Sequence, residues 1–239
     1  MNWQFWKKRE LDIKFVDSSR MAYQMHPVQP ARDVPSHFQK KQIDSYGKFL
    51  FPHCPGMIDL RNYGYIIPAW DDINIMANKG GVSVVIGGSH GKCTYSEARR
   101  MDASIADGVF KPEGIPLSVV HISNPWNLVV KNKNVSAANM PAFFHSPFLD
   151  DLYVYPGIVD YKNFSTISFI FSPKRECKLT IKAGTPLMQI LPFELADMHA
   201  GYGPADDYEN DLIRSVFSNA RHFYRKYIQE KKNTYLEEM

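Results

Sequence analysis

Ile181-Lys-Ala-Gly-Thr-Pro-Leu-Met-Gln-Ile-Leu-Pro-Phe193 decides the fold class. Apolar and polar residues alternate on both sides of its Gly-Thr-Pro turn, and the stretch follows the strand-like run Thr166-Ile-Ser-Phe-Ile-Phe171. Period-two alternation about a turn is the pattern of strands that each bury one face. The stretch reads as the last hairpin of a compact β domain that closes near Phe193. Such a pattern reports packing and is silent about substrates.

Upstream the same signal recurs in Tyr63-Gly-Tyr-Ile-Ile67, Ile73-Asn-Ile75, Val82-Ser-Val-Val-Ile86, Leu117-Ser-Val-Val-His-Ile122, Asn127-Leu-Val-Val130, Leu152-Tyr-Val-Tyr155 and Lys178-Leu-Thr-Ile181. These runs are short, rich in β-branched or aromatic residues and bounded by turn residues. No helical pattern of about 10 to 15 residues alternates with them, which argues against a doubly wound sheet. The expected architecture is mainly β: an antiparallel β-sandwich or jelly-roll over residues 46–195. The polar interval Gly87 to Gly114 reads as an insertion loop in which Ser96-Glu-Ala-Arg-Arg-Met-Asp102 has the composition of a helical turn.

The flanks differ from this domain. Met25-His-Pro-Val-Gln-Pro-Ala-Arg-Asp-Val-Pro35 contains three prolines, each of which disfavours helix at the residue before it. Residues 1–45 are therefore expected to be an extended arm, with a short helix through His37–Ile43 capped by Ser36. Beyond Phe193, Leu212, Ile213, Val216, Phe217, Ala220, Phe223, Tyr224, Tyr227 and Ile228 recur at threes and fours. That spacing predicts a linker and an amphipathic C-terminal helix within 196–239.

Composition excludes several classes of function. The 28 basic and 25 acidic residues are dispersed and leave a formal charge of only +3, so no nucleic-acid-binding stripe is expected. Cys54, Cys93 and Cys177 are odd in number and lack C-x-x-C spacing, which disfavours a disulfide framework and a cysteine zinc site. No apolar run approaches the ~18 to 20 residues that span a bilayer. In Met1-Asn-Trp-Gln-Phe-Trp-Lys-Lys-Arg9 the aromatics precede the basic cluster, the reverse of a signal peptide, so export by that route is not expected. Trp3, Phe5 and Trp6 are read as packing residues rather than a membrane anchor.

His53-Cys-Pro-Gly-Met-Ile-Asp59 and Tyr65-Ile-Ile-Pro-Ala-Trp-Asp-Asp72, with Pro27-Val-Gln-Pro-Ala-Arg32 before them and Gly184-Thr-Pro-Leu-Met-Gln-Ile190 after, resemble a family recurrent in marine tailed phages. The likeness runs from about residue 25 to 195 and extends to the aromatic C-terminal helix. It implies a viral origin and a β-rich fold, and that family carries no assigned activity to transfer. The corresponding locations are the host cytoplasm or the virion.

A second resemblance rests on Tyr155-Pro-Gly-Ile-Val-Asp-Tyr161, Ile167–Phe171 and Ile181–Gln189, a succession similar to that of trimeric dUTPases and dCTP deaminases. In dUTPases the aspartate of that turn activates water, and the resemblance would give Asp160 this role. The sequence departs from the pattern: Tyr161-Lys-Asn-Phe-Ser-Thr166 lacks the Gly-Glu that should follow, and no Ser-Ser phosphate motif occupies the middle of the domain. A carboxylate without groups for a polyphosphate and its Mg²⁺ does not perform that hydrolysis.

Other candidate groups are weighed on their chemistry. Cys54 would need a cationic neighbour to become a nucleophile, and adjacent His53 faces the opposite side of an extended segment. No His-x-His, His-x-Asp or His-x-Glu pair occurs, so neither metal nor cofactor is expected, although His121 and His145 lie in polar segments that the fold can bring together. Trp70-Asp-Asp72 and Asn124-Pro-Trp-Asn127 combine flat rings with polar edges, which makes Trp70, Asn124, Trp126 and Asn127 the candidate ligand-binding residues. Their alternative reading is two Trp plugs at the ends of the sandwich, with the Asp and Asn residues in turns.

The function expected is non-catalytic: binding a protein partner or self-association, with a small ligand allowed. The alternative is an enzyme on a small molecule or nucleotide using Asp160, His121, Asp71 and Asp72. A third reading, a carbohydrate-binding module, requires Trp70 and Trp126 exposed on one face.

Overall fold

The computed structural model describes residues 12–19, 22–36, 55–87, 99–101, 119–131, 135–195, 203, 204 and 207. The chain divides into two units, Met1–Ala196 and Asp197–Met239, and every strand among the described residues lies in the first. The helix expected at 37–43, the aromatic cluster at 3–6, Cys54 and the apolar stripe at 212–228 fall outside the described residues.

The first unit is mainly β, with three antiparallel sheets. One sheet contains β1 (Ile13–Asp17), β6 (Arg99–Met101), β7 (Val119–Val130), β9 (Leu152–Val154) and β11 (Thr166–Pro173). The long strand β7 takes β1 and β6 along one edge and β11 along the other, and β9 follows β11. A second sheet has the order β10 (Gly157–Val159), β8 (Val135–Pro141), β13 (Pro186–Glu194), β3 (Tyr65–Pro68) and β2 (Gln29–Pro30). The third places β4 (Ile73–Asn78) between β12 (Cys177–Ile181) and β5 (Gly81–Ile86). The described helices are α1 (Ala22–Met25), a 3-10 turn at Ala31–Asp33 and the eight-residue α2 (Pro55–Asn62). Pro55 stands at the first position of α2, where its missing N–H would have had no helical partner. Among the described residues no helix is long and apolar enough to cross a membrane.

Sequence alternation translates directly into burial. In β4 the pattern is strictly buried then exposed, with Ile73, Ile75 and Ala77 inside. They join Ile122, Trp126, Leu128, Phe169, Phe171, Leu187 and Ile190 in one cluster fed by all three sheets. Phe169 and Phe171 pack with centroids 5.0 Å apart. Full burial of each such side chain favours folding by about 1.5–3 kcal/mol.

The Gly-Thr-Pro segment does not close a hairpin. β12 pairs with β4 in the third sheet, whereas β13 pairs with β3 and β8 in the second. The paired strands β3–β4 and β12–β13 thus pass together from one sheet to another, turning at Ala69–Asp72 and Lys182–Thr185. Ala69 N–H donates to the Thr185 carbonyl and Gly184 N–H to that of Ala69, both at 2.8 Å, so the ladder is carried round the corner. Such corners, where strands switch sheets, are how β layers fold over a shared core.

Residues 12–36 are not an arm outside the core. β1 pairs with five residues of β7, β2 pairs with β3, and Ala22 and Ala31 are buried. Only Gln29–Pro30 is strand, and Ala31–Asp33 turn as a 3-10 helix directly after it; the exposed N–H and C=O groups of a sheet edge readily accept such a short strand. The segment Ser96–Asp102 likewise contains a strand: Arg99–Met101 pairs antiparallel with Val119–His121, in place of a helical turn.

Candidate functional site

Asp71 and Asp72 form the corner between β3 and β4. Asp71 is buried and its Oδ1 accepts the Asp72 N–H at 2.7 Å. Asp72 Oδ1 accepts the Ala183 N–H at 3.0 Å and its Oδ2 pairs with Lys182 Nζ at 2.7 Å. The Asp72 carbonyl accepts the Gly87 N–H, tying in the end of β5. These carboxylates hold the sheet switch together.

Asn124, Trp126 and Asn127 form a bulge. Thr166 pairs with Asn127 but Ser168 with Ser123, so β7 carries two extra residues against β11. Asn124 Oδ1 accepts the Trp126 N–H at 2.9 Å, and Asn127 Nδ2 donates to the Pro125 carbonyl at 3.0 Å. Ser18 donates to the same carbonyl through its N–H and its Oγ. Proline lacks a ladder N–H, which confines it within sheets to edges and bulges. One bulged strand therefore replaces the two expected on either side of Asn124.

Trp70 and Trp126 are 5% and 1% exposed. With both indoles in the core, neither presents a stacking surface to solvent. Trp70 Nε1 finds no hydrogen-bond acceptor among the described residues.

His121 lies mid-strand in β7, with Arg99 across one edge and Ile170 across the other. His145 is buried elsewhere, its Nδ1 3.1 Å from the Pro35 carbonyl and its Nε2 3.3 Å from that of Arg61. That contact fastens the 12–36 segment and the end of α2 to the loop after β8. Among the described residues no three His, Cys, Asp or Glu side chains are grouped to hold a metal ion.

Asp160 caps the turn after β10: Oδ1 accepts the Lys162 N–H at 3.0 Å and Oδ2 accepts Asn163 Nδ2 at 2.7 Å. Its carbonyl accepts the N–H groups of Asn163 and Phe164. Both carboxylate oxygens are therefore engaged in shaping a turn.

That turn borders a cavity of about 510 Å³. Asn139 and Met188 reach it from β8 and β13, and Tyr155, Pro156, Gly157 and Val159 from β10 and the residues before it. Thr166, Ser168 and Ile170 of β11 and the turn residues Asn163, Phe164 and Ser165 complete the wall. The lining thus draws on two different sheets. Its size falls within the range of roughly 300–1,000 Å³ typical of small-molecule sites.

Tyr155 is the one ionisable side chain among these lining residues. Its hydroxyl lies 3.1 Å from Ser172 Oγ and its ring meets Tyr153 edge-on at 4.8 Å. Burial raises the Tyr155 pKa, the bond to Ser172 opposes that rise, and Tyr153 adds to it. Behind the wall Tyr161, 3% exposed, donates its hydroxyl to Asn139 Oδ1 at 2.9 Å. Burial pushes the Tyr161 pKa up to about 12. At the turn and β10, Phe164 and Ile158 are 67% and 72% exposed.

Sequence reasoning missed Asn139, Ser168 and Met188. Val135-Ser-Ala-Ala-Asn-Met-Pro141 has little β propensity and did not read as a strand, although it is β8. Its pairing with both β10 and β13 makes it a strand, a tertiary cause that local composition does not carry. No protein-family model matches the chain, and neither does any curated protein.

Proposed function

We propose that the first unit is a β-sandwich of jelly-roll type that acts by binding, without catalysis, an uncharged small ligand in the cavity between β10 and β11. The observation that carries this reading is the cavity lining. It offers hydroxyls, amides and apolar groups, and among the described lining residues the only ionisable group is a tyrosine whose pKa lies above its ordinary value. Acid–base catalysis near neutral pH calls for a group that titrates there. The four residues of the enzyme reading add support, since Asp160 is spent on a turn, Asp71 and Asp72 on a corner, and His121 stands on a strand across which Arg99 and Ile170 lie.

The likeness to the phage family extends this proposal to a virion or host-cytoplasm protein. The apolar stripe at 212–228, read as an amphipathic helix, would dock on a protein partner or a second copy of the chain. Native mass spectrometry of protein purified without chelator tests the reading. The expected spectrum shows no retained metal or nucleotide and gains mass with uncharged fragments. Retained nucleotide or stoichiometric metal would contradict it.

A further inference from the structure

We propose that Asn139, held by Tyr161, makes the cavity selective for uncharged ligands that present a carbonyl-type hydrogen-bond acceptor, such as a lactam or amide. The proposal rests on the binding reading above and names the ligand class for the same site. Asn139 is 5% exposed and forms part of the cavity wall. Its Oδ1 is taken by the Tyr161 hydroxyl at 2.9 Å. The opposite end of the amide, Nδ2, then carries two donors with no acceptor among the described residues.

Tyr161 is well placed to hold the Asn139 side chain at the cavity wall. It is 3% exposed and sits in the turn capped by Asp160, whose oxygens fix Lys162 N–H and Asn163 Nδ2. Nδ2 is not fully buried, and an acceptor delivered by a ligand takes the place of water there.

Charge sets the other limit. None of the described lining residues supplies a cation to neutralise a carboxylate or phosphate, and none supplies a carboxylate for an ammonium. An ion brought here from water would lose hydration without compensation. Ser168 and Thr166 hydroxyls act as donor or acceptor as required, while Ile170, Met188 and Val159 take the apolar part of the ligand. The combination describes a neutral molecule with one apolar flank and a carbonyl oxygen.

The test compares ligands matched in shape: 2-piperidone, methylcyclohexane, piperidinium and cyclohexanecarboxylate, titrated into the full-length ¹⁵N-labelled protein. We expect 2-piperidone to shift the Asn139 side-chain NH₂ resonances and to bind about tenfold more tightly than methylcyclohexane, with neither ion entering. Asn139→Leu keeps much of the shape but removes the donors, and should abolish the tenfold preference. Equal affinity for lactam and hydrocarbon, with a still Asn139 NH₂ signal, would overturn the selectivity while leaving cavity binding intact. Absence of any shift at Ser168, Ile170 and Met188 with all four ligands would overturn both. The wild-type comparison decides the matter even if the Asn139 variant fails to fold.

Discussion

Asp72 and Ala183, 111 positions apart in the chain, are joined by a 3.0 Å hydrogen bond from the Ala183 N–H to the Asp72 carboxylate. The bond sits where paired strands leave one sheet and enter another, and Lys182 reinforces it at 2.7 Å. Asp72→Ala should lower stability by about 1–3 kcal/mol, because the Ala183 N–H loses its acceptor. Lys182→Met should cost under about 1 kcal/mol, since the lysine is 72% exposed and its ion pair is screened. Urea denaturation of the two variants measures the contrast.

Gly184 adopts φ +82°, and a Cβ there would lie 3.0 Å from the His26 ring. Gly184→Ala therefore meets both a backbone penalty and a steric one, for an expected loss of about 1–3 kcal/mol. Adding His26→Ala should recover the steric share but not the backbone share. A double-mutant cycle by thermal denaturation separates them.

Trp126 is 1% exposed and enters the core from the bulge that Asn124 shapes. Trp126→Ala is expected to cost about 3–5 kcal/mol. Asn124→Ala should cost about 1–2 kcal/mol through loss of its bond to the Trp126 N–H. Neither change should affect affinity for saccharides, since neither residue faces solvent; glycan-array binding of the wild type is expected to be absent.

Tyr161 makes stability depend on alkaline pH. Its pKa rises from 10.0 to about 12 on folding, so the folded state keeps the proton while the unfolded state releases it. The contribution is complete below about pH 10 and is lost as pH climbs through 12, amounting to roughly 2–3 kcal/mol. Melting temperature measured from pH 9 to 12 should fall more steeply for the wild type than for Tyr161→Phe.

How much of this could be read beforehand follows from which signals are local. Ile73-Asn-Ile-Met-Ala-Asn78 states its burial by alternation, and β4 has the pattern it predicts. The strand following Thr185 was equally legible, but its partner was not. A turn between two alternating runs looks the same whether the runs pair with each other or with strands more than 100 residues away, and here Asp72 and Ala69 receive the turn. Proline spacing at 25–35 predicts an extended chain, yet only Gln29–Pro30 is strand and Ala31–Asp33 form a 3-10 turn, and the pairing of β2 with β3 is a tertiary event that local spacing does not carry.

The candidate site was less legible than the fold. Trp, Asp and His drew attention for their chemistry, yet Trp126 proved to be core and Asp160 a turn cap. Asn139 lies in an alanine-rich strand and gains significance only from the hydroxyl of Tyr161, 22 positions later. No spacing rule encodes a hydrogen bond that depends on two strands and a turn meeting.

The central claim is that the cavity between β10 and β11 binds uncharged ligands without catalysis. Its most direct test is a ¹H–¹⁵N titration of the full-length protein with a panel of neutral, anionic and cationic fragments, followed residue by residue. The account predicts that shifts produced by the neutral fragments cluster at Asn139, Ser168, Ile170 and Met188 and that every fragment remains chemically unchanged. Shifts clustering at Asp71, Asp72 or His121, or turnover of a fragment, would contradict it.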